Sequence, residues 1–530
     1  MSEGRTRPKT IVLSGILGLA LVAGAWMFQR GTVSTRVNGS RLFAQVSAAV
    51  RDEYVDTVSD AHAYQLAVDG LLSQLNDPYD AYLTPDRANR LAERASGSYA
   101  GIGLQVDVRD GSVVVVSPVA GGPGERAGIL TGDRIAQIDG KSIAGWTAEE
   151  VQKLLRGAPG STVEVAILHP GAVTPTTLTL TRAAIHHSAI RRAALLAPSI
   201  GYVALSVFSD STARELKTTV DSLVRKGATS LVLDLRANPG GLLDQGVAVA
   251  DLFLERGDRV AQTVGRDSTS NRTFVDSAAQ RWPALTLAVL VDNRSASAAE
   301  IVAGALQDHD RAAVLGMTTY GKGSVQNVFP VAAGGAVRLT TARWVTPLGR
   351  YISKPPPPSG DDAPDSGPAR PKYRTPGGRT VLGGGGITPD VTIPDTTAPA
   401  ENLAFMRALG TGVPRFHDAL TSYALQLKAN GSVTSPAFSV TKPMLDEIYR
   451  RMEARGVDVP RSTYDGAQPL VSRLFAYEVA RYVFGADAEF RRKAADDKVL
   501  IAAEQLLGAS HSQADALRRA GDMQRERSRE

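Results

Sequence analysis

The chain has 530 residues, 43% of them hydrophobic and 21% charged, with 59 Lys and Arg against 54 Asp and Glu for a formal net charge of +5. That length suggests roughly three or four units at about 150 residues per domain, with enough apolar content to bury a core. The absence of cysteine excludes disulfides, thiol catalysis, Cys-ligated zinc and a lipobox anchor, and the small charge, gathered largely at the two ends without a basic stripe interleaved with aromatics, does not indicate nucleic-acid binding.

Ile11 to Phe28 carries no charge, behind Arg5, Arg7 and Lys9 and ahead of Arg30. The pattern predicts a membrane helix with its N-terminus in the cytoplasm, or a signal peptide cut near Ala23-Gly24-Ala25. The apolar run continues past that point, which favours an uncleaved anchor over residues 1–30. Either alternative exports the remainder to the periplasmic or extracellular side.

Residues 41–96 read as helical, with apolar residues at three- and four-residue spacing in LFAQVSAAVRDEYV and AYQLAVDGLLSQL. NDPYDAYLTP is a turn-rich break. A β-rich unit over 97–183 precedes an α/β unit over 184–352, which resumes at 379–396. Ser353 to Gly378 is rich in Pro, Gly and Asp and predicts a mobile loop. Residues 400–530 are helical and polar, and their arginine-rich tail reads as a solvated, frayed end. The fold class is α+β and multidomain.

The β-rich unit opens with SYAGIGLQVDV, a glycine-bearing loop running into a strand. Thr147 followed by Glu150 is a capping box that starts the helix AEEVQKLLRG. A loop of the GIGL kind can present consecutive backbone N–H groups to a carboxylate, and the adjacent strand edge can take up an extended peptide. GIGL, ERAG, GDRI, the loop with Gly140 and a capped helix, in that order, resemble a PDZ domain. The resemblance implies that Tyr99, Ala100, Gly101, Ile102, Gly103 and Leu104 bind a substrate tail.

In the next unit GYVALSVF, SLVLDLR and ALTLAVLVD read as strands, and LLDQGVAVADLFL and EIVAGALQD as helices, the plan of an α/β layer. Sites in such sheets gather where loops leave the carboxyl ends of the strands. NPGG follows one such strand, and its glycines either turn the chain or let a backbone N–H approach an anion closely. Neither GxxxxGK[ST] nor GxGxxG is present, so no nucleotide site is expected. The seven histidines have no HExxH spacing, and His186-His187 reads as a strand pair facing opposite ways. NRSASAAE places two serines between a strand and a helix. A serine there is a helix cap, or a nucleophile where helix N–H groups can receive an oxyanion. Lys322, between two glycines in TTYGKGSVQ, is a surface cation or, with its pKa lowered by burial, a general base. Ser-Lys variants of the serine triad use a lysine in this way.

SASAAE, YGKGSVQ and LDLRANPGG, behind a PDZ-like unit, resemble the carboxyl-terminal processing peptidases, or tail-specific proteases, over roughly residues 40 to 395. That resemblance implies a crotonase-like α/β core. It implies Ser297 as nucleophile, with Ser295 on the variable flank, Lys322 as general base and Gln326 as the residue that positions it. It further implies an oxyanion hole from Ala298 and either Gly240 or Gly241, and a coupling of the PDZ-like unit to the site through Arg156. For Arg156 a helix-end cation favouring the dipole is the other reading.

The expected function is a serine endopeptidase that recognises protein substrates by accessible C-termini, without metal, nucleotide or organic cofactor. A catalytically silent PDZ scaffold or chaperone of the cell envelope is the alternative, and a crotonase-type thioester enzyme a further one. Residues 400–530 have no counterpart in the resemblance and are open to homo-oligomerisation, shielding of the site or partner binding.

Overall fold

The computed structural model describes residues 39–109, 111–169, 172–354, 370–394 and 399–529. The expected N-terminal anchor and residues 355–369 of the Pro-rich segment lie outside the described residues. Among the described residues no helix is long and apolar enough to cross a membrane. The chain divides into two units, 1–82 and 83–530.

The first unit carries helices α1 (Gly39–Glu53) and α2 (Asp60–Gln74). Ser59 caps α2 by accepting from the His62 N–H at 3.3 Å. Little is buried: α1 has no buried residue and α2 has Leu72.

The second unit begins with α3 (Pro85–Ser96), with proline in its first turn and Gly97 at its C-cap in the left-handed region, φ 64°, the ordinary proline-in, glycine-out asymmetry of a helix. A sheet follows in the order β1 (Leu104–Arg109), β2 (Ser112–Pro118), β3 (Arg134–Ile138), β4 (Thr162–Leu168), β5 (Thr176–Thr181), all antiparallel. Its core is the alternating apolar face: Val106, Val113, Val115, Ile135, Val163, Val165 and Ile167. Helix α4 (Ala148–Leu155) closes it with Val151 and Leu155, and the Thr147/Glu150 capping box is formed, the Thr147 N–H reaching Glu150 Oε2 at 2.8 Å. β1 lies at the end of the strand order, so one of its edges is unpaired.

A second sheet contains β6 (Ile190–Ala197), β7 (Ile200–Leu205), β8 (Ser230–Asp234), β9 (Thr286–Val291) and β10 (Ala313–Gly316), with Val391–Thr392 at its far edge. β6 and β7 are antiparallel and every other pairing is parallel. Every residue of β7, β8, β9 and β10 is buried, because helices cover both faces and a parallel strand then reads as a continuous apolar run. On one face Val203, Leu205, Leu231, Leu233, Leu287 and Val289 pack under α5 (Thr212–Arg225), α6 (Leu243–Asp251) and α7 (Ala298–Asp308). Tyr202, Ala204, Val232, Ala288 and Leu290 point to the other face. There they meet α8 (Lys498–Ala509) and α9 (Gln513–Arg527).

The arginine-rich tail is therefore not a frayed end as far as Arg527. Gln513 and Gln524 take up sheet donors, the Leu287 N–H and the Thr392 N–H, each at 2.7 Å. Ala516 and Ala520 are buried, and Asp515 pairs with Arg518 and Arg519. Asp497, at the head of α8, accepts both terminal nitrogens of Arg236, whose guanidinium also grips the buried Asp234. Residues 400–530 thus divide between this face and a separate helical core around Phe405, Phe416, Leu420, Ile448, Tyr464 and Phe475.

The end of the expected 353–378 loop is an ordered hairpin, Lys372–Arg374 against Thr380–Leu382. Arg370 holds its base by bonds to the Gly383 and Gly386 carbonyls at 3.0 and 2.9 Å, and Arg379 pairs with Asp310 and Asp390.

Candidate active site

The chain leaves β9 and turns through Asp292 to Ser297 into α7. The turn is fixed from inside. Ser295 is fully buried, and its hydroxyl donates to the Leu235 carbonyl at 2.8 Å and accepts from the Asp292 N–H at 2.9 Å. Asp292 accepts from the Ala237 and Arg294 N–H groups, both at 3.0 Å; these bonds hold its carboxyl below the usual range against the upward push of burial. Ser297 stands at the head of α7 with φ 55° and ψ −117°. That is a conformation of order 1–3 kcal/mol above the ordinary basins, and it persists only where the surroundings over-determine it. Here the Ser297 N–H donates to Glu300 Oε2 at 2.8 Å, and the Ser297 carbonyl accepts from the Glu300 and Ile301 N–H groups at 2.8 and 3.0 Å.

The loop after β8 lies directly against this turn. Asn238 is fully buried; its amide donates to the Leu205 carbonyl at 3.0 Å, and its Oδ1 accepts the Gly240 N–H at 2.9 Å. The Gly240 N–H is therefore engaged. Among the described residues the N–H groups of Gly241 and Ala298 have no hydrogen-bond partner. Gly240 has φ 91°, and a Cβ there would lie 2.6 Å from the Ala296 carbonyl oxygen, 2.7 Å from Ser297 Cβ and 2.9 Å from the Ala298 nitrogen. The glycine is required by close approach of two backbones.

Lys322 sits between β10 and β11 (Ser324–Pro330) and is partly buried. Both flanking glycines have a steric reason. A Cβ on Gly321 would lie 3.0 Å from the Ile352 carbonyl oxygen, and one on Gly323 would lie 2.5 Å from Ser353 Oγ. The Lys322 N–H donates to Glu300 Oε2 at 2.9 Å, and its carbonyl accepts from Trp344 Nε1 at 3.1 Å. Gln326, on β11, donates through its amide to Ser324 Oγ at 2.7 Å and to Thr340 Oγ1 at 3.2 Å, Thr340 being its register partner on β12 (Ala336–Val345).

Glu300 is not among the residues that the sequence motifs single out, although SASAAE ends on it. It is fully buried. Its Oε2 accepts the Ser297 and Lys322 N–H groups, and its Oε1 accepts the Thr319 hydroxyl at 2.5 Å and the Gly321 N–H at 2.7 Å. Burial pushes its pKa up and these four donors pull against that push. A glutamate three residues after a serine that opens a helix is itself a capping signal, and that signal is present in the sequence.

The PDZ-like loop is split in use. Tyr99, Ala100 and Gly101 pair with Ile185, Ala184 and Ala183. Beyond them the Ile102 and Gly103 carbonyls accept from the Gly124 and Val119 N–H groups at 2.9 and 2.8 Å, with Gly103 at φ 72°. A cavity of 790 Å³ lies here, lined by Tyr99, Ile102, Gly103, Leu104, Leu155 and Pro239 among others; Ala100 and Gly101 are not in its wall. Pro239 belongs to NPGG, so the cavity runs from the PDZ-like loop to the loop beside Ser297. Arg156, which also lines it, pairs with Glu93 of α3 at 2.5 Å and lies 5.0 Å from the centre of the Tyr99 ring. His186 bonds Glu215 at 2.7 Å, while His187 lines the cavity. Among the described residues no cluster of three or more His, Cys, Asp or Glu side chains has metal-binding geometry.

Residues 199–357 match the model of peptidase family S41, and residues 114–168 match a PDZ domain. The carboxy-terminal processing protease CtpA of Bacillus subtilis is 33% identical over 348 residues, covering 65% of this chain and 73% of that protein. The carboxy-terminal-processing protease of Bartonella bacilliformis is 36% identical over 314 residues, covering 58% of this chain and 71% of that protein. Among solved structures, the photosystem II D1 C-terminal processing protease is 30% identical, covering 68% of this chain and 95% of that one with a TM-score of 0.36. The chain belongs to the carboxy-terminal processing proteases, serine-type peptidases of family S41.

Proposed function

We propose that the protein is a Ser-Lys endopeptidase that captures the C-terminal tail of a protein substrate on its PDZ-like loop and β1 edge and cleaves the chain at Ser297. Ser297 Oγ attacks the peptide carbonyl while Lys322 Nζ takes its proton. The oxyanion is received by the N–H groups of Ala298 and Gly241, backbone donors fixed in advance where charge develops. Lys322 returns the proton to the leaving amine, and water then releases the acyl group from Ser297. Gln326 holds the β11–β12 hairpin that carries the base, and Arg156 links the tail cavity to α3.

The observation that carries this reading is the set of two unpartnered N–H groups, Gly241 and Ala298, beside a serine in a strained turn, with the lysine loop held on the same carboxylate oxygen as that serine. The tail cavity, with Pro239 in its wall, supports delivery from the PDZ-like unit. The reading predicts that an unstructured substrate with a free apolar C-terminus is cut by the parent protein and by neither Ser297→Ala nor Lys322→Ala. Amidation of the tail weakens binding because the loop amides lose their carboxylate. Tail binding without cleavage by the parent would favour a scaffold, and cleavage by Ser297→Ala would refute the site.

We also propose that residues 1–30 anchor the protein in the membrane with the peptidase on the exported side, a reading that rests on the uncharged run from Ile11 to Phe28 behind basic residues. Protease accessibility of the catalytic unit in intact and opened cells tests it. Digestion only after the cytoplasm is opened would overturn it.

A further inference from the structure

Four hydrogen bonds converge on Glu300, and every partner is a donor: the Ser297, Gly321 and Lys322 N–H groups and the Thr319 hydroxyl. The Thr319 hydroxyl also accepts from the Ile387 N–H at 2.7 Å, which ties the clamp to that strand-side loop. Three of these partners are backbone N–H groups, which can only donate and so favour the charged form, while burial favours the neutral one. A buried carboxylate is costly unless its hydrogen bonds are complete. Charge-assisted bonds of this kind are roughly twice as strong as neutral ones.

The placement gives that cost a use. The first shared oxygen takes the backbone of Ser297 and the backbone of Lys322. The second takes Thr319 and Gly321, so the whole lysine loop is clamped to the first turn of α7. A second tie supports the same junction: the Tyr320 N–H donates to the Ser295 carbonyl at 3.0 Å. The strained Ser297 conformation requires such over-determination.

We propose that Glu300 is a positioning residue for the peptidase reaction, its buried carboxylate setting the separation of the Ser297 and Lys322 backbones and hence the geometry in which the hydroxyl proton is transferred. This rests on the Ser-Lys reading above. Glu300 touches no substrate; it acts through the two residues that do. Misplacing reacting groups by about 1 Å can cost about 100-fold in rate, so the loss belongs in kcat and not in KM, which reflects tail capture in a cavity that Glu300 does not line.

The test is steady-state kinetics of the full chain with a tailed substrate, for the parent, Ser297→Ala, Glu300→Gln and Glu300→Asp. Glu300→Gln keeps the shape but turns an amide NH2 toward one pair of donors. Glu300→Asp keeps the charge but withdraws it by one methylene. Both are expected to lower kcat about 10- to 100-fold with KM within about threefold of the parent. Should either fail to fold, Thr319→Val carries the test: it removes one donor from the far oxygen, touches neither Ser297 nor Lys322, and is expected to lower kcat about three- to tenfold with KM unchanged. Parent-like kcat in folded Glu300→Gln or Glu300→Asp, or a loss that follows only the folded fraction, overturns the proposal while leaving the dyad standing. Undiminished cleavage by Ser297→Ala overturns the dyad and the proposal together.

Discussion

Gly240→Ala is the sharpest steric test of the site. The φ of 91° at Gly240 lies where an alanine costs of order 1–3 kcal/mol. The new methyl would meet the Ala296 carbonyl oxygen at 2.6 Å, Ser297 Cβ at 2.7 Å and the Ala298 nitrogen at 2.9 Å. Those atoms belong to a turn with no soft side chain to yield, so overpacking adds typically about 1–3 kcal/mol. The expected destabilisation is therefore about 2–6 kcal/mol, and relief of the contact moves Ser297 away from the Gly241 and Ala298 N–H groups. A shift of about 1 Å is worth about 100-fold in kcat/KM. Gly349→Ala is the control, because Gly349 has φ 81° and a methyl added there would meet nothing within 4 Å; it carries the strain without the collision. Chemical denaturation measures the first quantity and cleavage of a tailed peptide the second. Equal stability losses in the two variants, with kcat/KM of Gly240→Ala near the parent value, would refute the claim that this glycine touches the nucleophile turn.

Other expectations follow from the same geometry. Arg236→Ala leaves the buried Asp234 without its cation and detaches Asp497; removing one partner of a buried pair costs about 3–5 kcal/mol, and a double-mutant cycle with Asp497→Ala should show coupling. Asp251 has its pKa pushed up to about 7, by burial first and by nearby Asp276 second, and its Oδ1 has no hydrogen-bond partner among the described residues. Its folded state holds the proton more tightly than the unfolded chain, so its contribution falls as pH rises from about 4 to about 7. Asp251→Asn should flatten that slope in pH-dependent unfolding, and an unchanged slope would remove the assignment. Gln152→Glu places a negative charge on a part-exposed position of α4 in the wall of the tail cavity and should raise KM for tailed substrates severalfold, by repulsion of the tail carboxylate, with little change in kcat; a fall in kcat alone would mean the cavity does not hold the tail.

The parallel sheet is legible in the sequence because its strands are buried on both faces and read as unbroken apolar runs, and the PDZ-like layer because its turns and capped helix follow in a fixed order. Ser297 and Lys322 are legible as motifs. The engagement of the Gly240 N–H by Asn238, which separates the two glycines of NPGG, depends on a side-chain hydrogen bond that no spacing shows. The C-terminal helices read as a polar surround because charged residues are interspersed among their apolar ones. On the sheet-covering pair Leu500, Leu506 and Leu507 are buried together with Ala502, Ala503, Ala516 and Ala520, and Arg518 and Arg519 face outward in pairs with Asp515. Glu300 is hidden for a related reason: a glutamate on a helix is normally solvated, and only the fold brings the lysine loop over it.

The central claim is that Ser297 carries the acyl group. The direct measurement is acid quenching during turnover of a slowly released substrate, followed by peptide mapping by mass spectrometry. The account predicts an acyl adduct on the peptide that contains Ser297, absent in Ser297→Ala and not formed in Lys322→Ala. An adduct on Ser295 or elsewhere, or turnover that persists in Ser297→Ala, would contradict it.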